Sequence, residues 1–300
     1  MPPRPLPLLV IAILLPHGVR AQASIASDLW RVAAGTLAVP ASLSEGGMAP
    51  VWTPAVALGE GERARLGIEA IHTPPELAVT GGLIAFTTRV RGLGTVSLTY
   101  GRISVGDVAY TETSPEALGD VAIYNQSVSA GLSGRIGRGV IGGLALRYLS
   151  GVLGFASRQQ FGLDAGAIYT TPHLRLGAAT RFFDPHFGAS EGAASYNAGA
   201  EYRSTPFDAW GTRALLLARY GITAQRGEAA QHLLGAGLAL GTSFALDAGA
   251  AHESTDGSAV WRSRLAFAVG SGAFHFQIGR DGGVNGFGAT YRLALTAAFR

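Results

Sequence analysis

The sequence predicts an all-β fold: a transmembrane antiparallel β-barrel of about 14 strands with an N-terminal luminal hatch. Three observations predict it. Apolar residues recur with a period of two in many short segments. Charged residues make up 14% of a chain that is 48% hydrophobic, whereas soluble domains carry roughly 25% charge. Short and long connections alternate along the chain.

The first element is a targeting segment, residues 1–23. Arg4 supplies a positive start, Leu6 to Leu15 an apolar run, Pro16 a break, and Ala21-Gln22-Ala23 a small-x-small cleavage pattern. That run is too short to cross a bilayer as a helix, which takes about 20 residues. The rest of the chain holds no long apolar run, so its apolar excess is spread over short segments. Residues 24–60 come next. Ser27-Asp28 can cap a short helix over Leu29 to Ala34. Beyond it lies a stretch rich in Ala, Pro, Ser and Gly, too irregular for strands and too apolar for a free tail. A plug inside a lumen accounts for it.

The barrel occupies 61–300. Strands are expected at 63–73, 77–88, 94–105, 121–136, 139–150, 158–170, 173–183, 193–204, 212–223, 229–241, 243–254, 259–270, 273–281 and 285–299. Their lengths suit the roughly 9–11 residues that cross a bilayer at a tilt. In 174–182 the even positions form the apolar face, ending on Phe182. In the last segment Phe287, Ala289, Tyr291, Leu293, Leu295, Ala297 and Phe299 share one face. A helix would scatter such residues around its surface. Connections after strands 2, 4, 6, 10 and 12 are short, and those after strands 3, 5, 7 and 9 are longer, the pattern of outer-membrane barrels. Thr205 to Gly211, after strand 8, is long for a turn. An even strand count places both termini on the periplasmic side of a bacterial outer membrane. Tyr100, Tyr148, Tyr169, Tyr220, Tyr291 and Phe299 suit interfacial girdles. A soluble β-protein would expose more charge than this chain possesses.

Two stretches carry a family resemblance. One is Gly46-Gly47-Met48-Ala49-Pro50-Val51-Trp52-Thr53-Pro54-Ala55-Val56-Ala57-Leu58. The other is Phe161-Gly162-Leu163-Asp164-Ala165-Gly166-Ala167-Ile168-Tyr169 with Leu174-Arg175-Leu176-Gly177. They resemble the N-terminal hatch signature and the central Asp-x-Gly strand of the PorV/PorQ family, within the FadL-like fourteen-stranded barrels. Thr53 stands where that signature has Asn, and the acidic pair that precedes it there is absent. The resemblance implies a barrel with its N-terminus folded into the lumen. It implies one of two roles. FadL-like members pass hydrophobic molecules, and PorV-like members bind cargo or translocon components in type IX secretion.

Chemistry-bearing motifs are sparse. Gly137, Gly139 and Gly142 match G-x-G-x-x-G, but strand follows strand there, so a hairpin turn is expected rather than a nucleotide site. Asp184-Pro185-His186-Phe187 reads as a shaped outer loop. His72, His173, His232, His252 and His275 show no ligand spacing, and cysteine is absent, so no metal or cofactor is expected. No catalytic set stands out. A barrel hydrolase using a Ser/His pair on its lipid face is the remote alternative. The net charge of +3 gives nucleic-acid binding no support.

All 23 basic residues are arginine. By strand parity Arg65, Arg147, Arg175, Arg181, Arg213, Arg219, Arg262, Arg264 and Arg292 point inward, with Glu69, Asp164, Glu201 and Asp247. The candidate lumen-lining set is Arg147, Asp164, Arg175, Arg181, Arg219, Arg262, Arg264 and Arg292. The candidate hatch or gate residues are Trp30, Trp52 and Pro54. Buried guanidiniums demand partners, so this set is either a ladder holding barrel to hatch or a solute path that prefers anions. The partners expected are outer-membrane lipid and either a hydrophobic small molecule or a secreted protein or secretion component. The functional classes carried forward are transport through the lumen and docking by the outer loops, chiefly 106–120 and 184–192.

Overall fold

A computed structural model describes residues 29–30, 33–34, 37–106, 108–110, 119–154, 156–183, 194–209, 211–225, 229–255, 258–283 and 288–300. The targeting segment, the Ser27-Asp28 cap and the 184–187 loop motif lie outside the described residues.

Fourteen long strands build one sheet: β1 (Ala64–His72), β2 (Val79–Val90), β3 (Gly94–Val105), β4 (Ile123–Gly137), β5 (Val140–Leu153), β6 (Ala156–Thr170), β7 (Leu174–Phe183), β8 (Ser195–Arg203), β9 (Thr212–Gln225), β10 (Gln231–Leu240), β11 (Phe244–Thr255), β12 (Ser258–Ser271), β13 (Phe274–Asp281) and β14 (Thr290–Phe299). Each pairs antiparallel with the next. β14 closes on β1, in a register running from Ala64 opposite Phe299 to His72 opposite Tyr291. No sheet edge is left, which is what backbone groups require in hydrocarbon. Two small pieces lie outside this ring: Ala109–Tyr110 pairs with Gly119–Asp120, and Phe207–Ala209 pairs with the start of β9.

The period-two pattern becomes an outer apolar face and an inner polar one. On β14, Tyr291, Leu293 and Leu295 are exposed while Thr290, Arg292, Ala294 and Thr296 are buried. The connections at one end are tight. Gly139 sits at φ 73° in the Gly137–Val140 hairpin, where the positive φ favours glycine. The G-x-G-x-x-G string is therefore a turn. The connections after β3, β7 and β13 are wider and lie at the other end; the link of residues 204–211 after β8, expected to be long for a turn, is the exception at the tight end.

Two expectations about connections fail. The link after strand 5 is short, because β5 and β6 stay in register out to Leu153 opposite Ala156. Cross-strand hydrogen bonding there outweighs the polar composition that suggests a loop. β14 begins at Thr290 rather than 285.

The lumen is filled by the chain's own N-terminal stretch. Trp30 and residues from Leu37 through Leu58 are largely buried, with a three-residue turn of 3-10 helix at Ala41–Leu43 and a short helix at Ala49–Trp52. Leu29, Trp30, Ala33 and Ala34, within the span expected to form a short helix, are helical.

Inward glycines make room for this stretch. Gly177, Gly199 and Gly221 lie directly opposite one another on β7, β8 and β9. A Cβ on Gly199 would come within 2.7 Å of Pro40 Cβ, and one on Gly177 within 2.6 Å of the Ser42 carbonyl oxygen. On the far wall a Cβ on Gly67 would reach 2.6 Å from the Gly47 backbone. The glycine richness of the sequence is in good part this lining.

Candidate functional site

The candidate site is the interface between the luminal stretch and the inner wall. That wall has two characters. On β1 to β3 the inward positions include Ile71, Leu83, Ala85 and Ile103, which form an apolar cluster with Trp30, Leu37, Met48 and Val51. From β5 round to β14 the inward positions carry most of the arginines and their carboxylates, and β1 adds Arg65 and Glu69.

The charges are wired across strands. Arg147 donates from Nε and Nη2 to Asp164 Oδ2 at 2.7 and 2.5 Å, and from Nη1 to Ser127 Oγ at 2.8 Å. Glu201 receives Arg203 at 2.8 Å, Arg219 at 2.6 Å and Arg175 at 3.4 Å, and Arg219 also pairs with Asp247. Arg175 reaches Glu45 of the luminal stretch at 2.8 Å. Arg262 and Arg264 share Asp281, each at 3.1 Å, and Arg262 also pairs with Glu253. Arg292 meets Glu69 at 2.5 Å. The predicted lumen-lining residues all face inward and, except for Arg181, all lie in these ion pairs. Arg213, also assigned inward by parity, lies at the barrel rim and is exposed.

The same wall holds the luminal stretch by its backbone. Arg147 Nη2 donates to the Val51 carbonyl at 3.4 Å, Arg264 Nη1 to that of Leu37 at 3.2 Å and Ser133 Oγ to that of Val56 at 2.6 Å. The Gly47 N–H donates to Thr296 Oγ1 at 3.1 Å.

Trp30 and Trp52 serve different contacts. Trp30 donates from Nε1 to Asn125 Oδ1 at 2.6 Å and lies 6.2 Å from the Phe182 ring. Trp52 is wholly buried between Arg181 of β7, 4.9 Å from its ring centre, and Arg292 of β14, 5.7 Å away. Such cation–π contacts each contribute about 0.5–2 kcal/mol. Pro54 packs against Gly143 and Gly166 of β5 and β6.

Phe182 corrects the parity assignment. Alternation places it on the outer face, yet it is buried inside at φ 58°. The register slips between Leu163 and Ala165, so Arg181 and Phe182 together oppose Asp164. This bulge turns both side chains inward, and the Phe182 N–H donates to Asp164 Oδ1 at 2.8 Å. Sequence reasoning also missed Glu253, Asp281 and Asn125. Extending inward parity to the strand ends would have found the two acids. No signal in the sequence joins Asn125 to Trp30.

Beside the bulge, at the end bearing the wider connections, a cavity of about 70 Å³ opens between luminal stretch and wall. Trp30, Leu37, Arg181, Phe182, Asn197 and Gln231 border it. Among the described residues no three His, Cys, Asp or Glu side chains gather as a metal site.

No protein-family model matches the sequence, and no curated protein matches it. Solved structures do resemble it in fold. The chain is similar to the toluene transporter TbuX of Ralstonia pickettii, at 11% identity over 85% of this chain and 94% of that one, TM-score 0.51. It is similar to the toluene transporter TodX of Pseudomonas putida, at 10% identity over 87% and 97%, TM-score 0.52. It is similar to the monoaromatic hydrocarbon channel CymD, at 10% identity over 90% and 97%, TM-score 0.52. The likeness is one of fold: the chain shares the closed antiparallel barrel architecture of these three proteins.

Proposed function

We propose that the protein is a bacterial outer-membrane transporter that passes a small, largely hydrophobic solute through its lumen, with residues 24–60 as the hatch. Residues 1–23 are a removable signal peptide in this reading, and both termini are periplasmic. It carries no catalytic function.

One observation carries the proposal. The lumen is lined on one side by Ile71, Leu83 and Ile103, which pack on Trp30 rather than facing water. A water-filled porin has no use for such a wall. A path for a hydrophobic solute does, because transfer out of water onto apolar surface favours entry by roughly 25 cal/mol per Å². Residues 37–58 are held against the wall by a handful of hydrogen bonds, by the ion pairs of Glu45 with Arg175 and Arg203, and by packing. The likeness of fold to hydrocarbon transporters supports the same reading.

The test is uptake of labelled toluene into liposomes containing the purified protein. Transport predicts uptake above protein-free liposomes, rising when the hatch is removed. The PorV/PorQ resemblance favours a second reading, an accessory barrel whose outer loops dock secreted cargo or a type IX secretion component. No uptake, together with co-purification of a large secreted protein, would replace the first reading with the second.

A further inference from the structure

Arg102 is a charge on the outer surface of the barrel. Its neighbours Gly101 and Ile103 are buried on the inner face of β3, so Arg102 points outward, and it is exposed. The outward positions of β1 to β4 carry no acid and no other arginine. Among the described residues no carboxylate lies within ion-pair distance of Arg102. Its guanidinium carbon stands 4.0 Å from the centre of the Tyr124 ring on β4. An aromatic ring covers one face of a guanidinium and leaves its N–H edges free to bond.

The level of Arg102 on the wall explains how the charge is tolerated. Toward the tight-turn end the same face is apolar, with Leu98, Tyr100, Ile84 and Ile68 all exposed. Toward the wide end it turns polar, where Thr80 lies opposite both His72 and Ser104. Arg102 stands two residues beyond Tyr100, about 7 Å along the strand, at the edge of the apolar band. Charge on a lipid-facing wall is costly at mid-membrane and tolerated at the interface.

A hollow adjoins it. Gly82 of β2 lies directly opposite Arg102, and nothing comes within 4 Å of where its Cβ would stand. Ile68, Ile84 and Tyr100 border the hollow on its apolar side, and Arg102, Thr80 and Ser104 on its polar side, around a volume of about 470 Å³. The Thr80 and Ser104 hydroxyl oxygens are 3.4 Å apart and exposed.

We propose that this hollow docks the phosphorylated glycolipid of the outer leaflet, lipid A. One phosphate accepts from the free edge of Arg102 and from the Thr80 and Ser104 hydroxyls, and one acyl chain lies over Gly82. A single cation on an otherwise uncharged face selects an anion. The apolar wall that continues from the hollow selects a lipid over a free phosphate. The choice of leaflet rests on the reading above that both termini are periplasmic. Phe299 pairs with Ala64 at the tight-turn end, so the Arg102 end is then the outer one. The site is on the wall and separate from any path through the lumen.

Native mass spectrometry of the purified full-length barrel in detergent counts the lipids it holds. The probes are lipid A, its dephosphorylated form and phosphatidylglycerol. The protein should hold one lipid A, in preference to the other two. Arg102→Gln should weaken lipid A about tenfold, the low end for a hydrogen bond to a charged group, and leave the dephosphorylated form within about threefold. Gly82→Phe fills the hollow and should weaken both forms. It also carries the test if Arg102→Gln does not fold, as judged by heat-modifiable gel mobility. Arg213→Gln, at the opposite rim, should change neither. Equal binding of the two forms of lipid A, binding indifferent to Arg102→Gln and Gly82→Phe, or an equal loss in Arg213→Gln overturns the proposal. Tighter binding of phosphatidylglycerol puts the hollow in the other leaflet and overturns it as well. Toluene uptake is read separately, in phosphatidylcholine liposomes that contain no lipid A. Uptake without lipid A binding sinks the docking site alone, and lipid A binding without uptake sinks the transport reading alone.

Discussion

Gly143 of β5 lies against the backbone of Pro54 so closely that no Cβ fits between them. The hatch and the wall meet there backbone to backbone, with Ala55 N also within 2.9 Å of where a Cβ would stand. No flexible side chain can give way. Gly143→Ala is therefore expected to push residues 37–58 off the wall without opening the barrel. The checks are limited proteolysis and gel mobility: cleavage within the hatch should rise while the heat-modifiable shift persists. Gly82→Ala, at an outward position with nothing within 4 Å, should change neither.

The Arg147–Asp164 pair is buried at 1% exposure on both sides. Removing one partner leaves the other charge unpaired. Arg147→Met alone should cost about 3–5 kcal/mol in unfolding from lipid, and so should Asp164→Leu alone. The double variant should recover most of that loss. A double-mutant cycle by denaturant titration in vesicles measures it. Additive losses would mean that the ladder does not act as a pair at this point.

Leu176 is 42% exposed on the outer face of β7, flanked inside by Arg175 and Gly177. Leu176→Arg puts a charge into hydrocarbon and should destabilise the barrel in lipid by about 2–4 kcal/mol. The same titration checks it. A neutral outcome would mean that this face does not meet lipid.

Much of this architecture is legible in the chain because hydrocarbon outside and polar groups inside impose a strict alternation. Tyr291, Leu293 and Leu295 against Arg292 and Thr296 show it without help from tertiary contacts. The buried arginines are legible for the same reason. Which carboxylate each one meets is not, since Arg292 finds Glu69 and Arg264 finds Asp281 only through the register of neighbouring strands. Phe182 defeats alternation outright, because one extra residue at the bulge reverses the face onto which its side chain turns. The link after β5 escapes a reading by composition, which says nothing about pairing across a hairpin. The cavity at Arg181 depends on all of these together, so no local pattern announces it.

The central claim is that the luminal stretch must shift for solute to pass. Thr53 and Gly166 offer the means to test it in the intact chain. A Cβ built on Gly166 falls 3.0 Å from Thr53 Oγ1, a spacing suited to a disulfide between hatch and β6. The chain has no cysteine of its own, so no other pairing competes. The measurement is toluene uptake into liposomes carrying the Thr53→Cys/Gly166→Cys variant, oxidised and then reduced. The account predicts uptake near the protein-free level when oxidised and recovery on reduction. Equal uptake in both states would show that solute passes without the hatch moving.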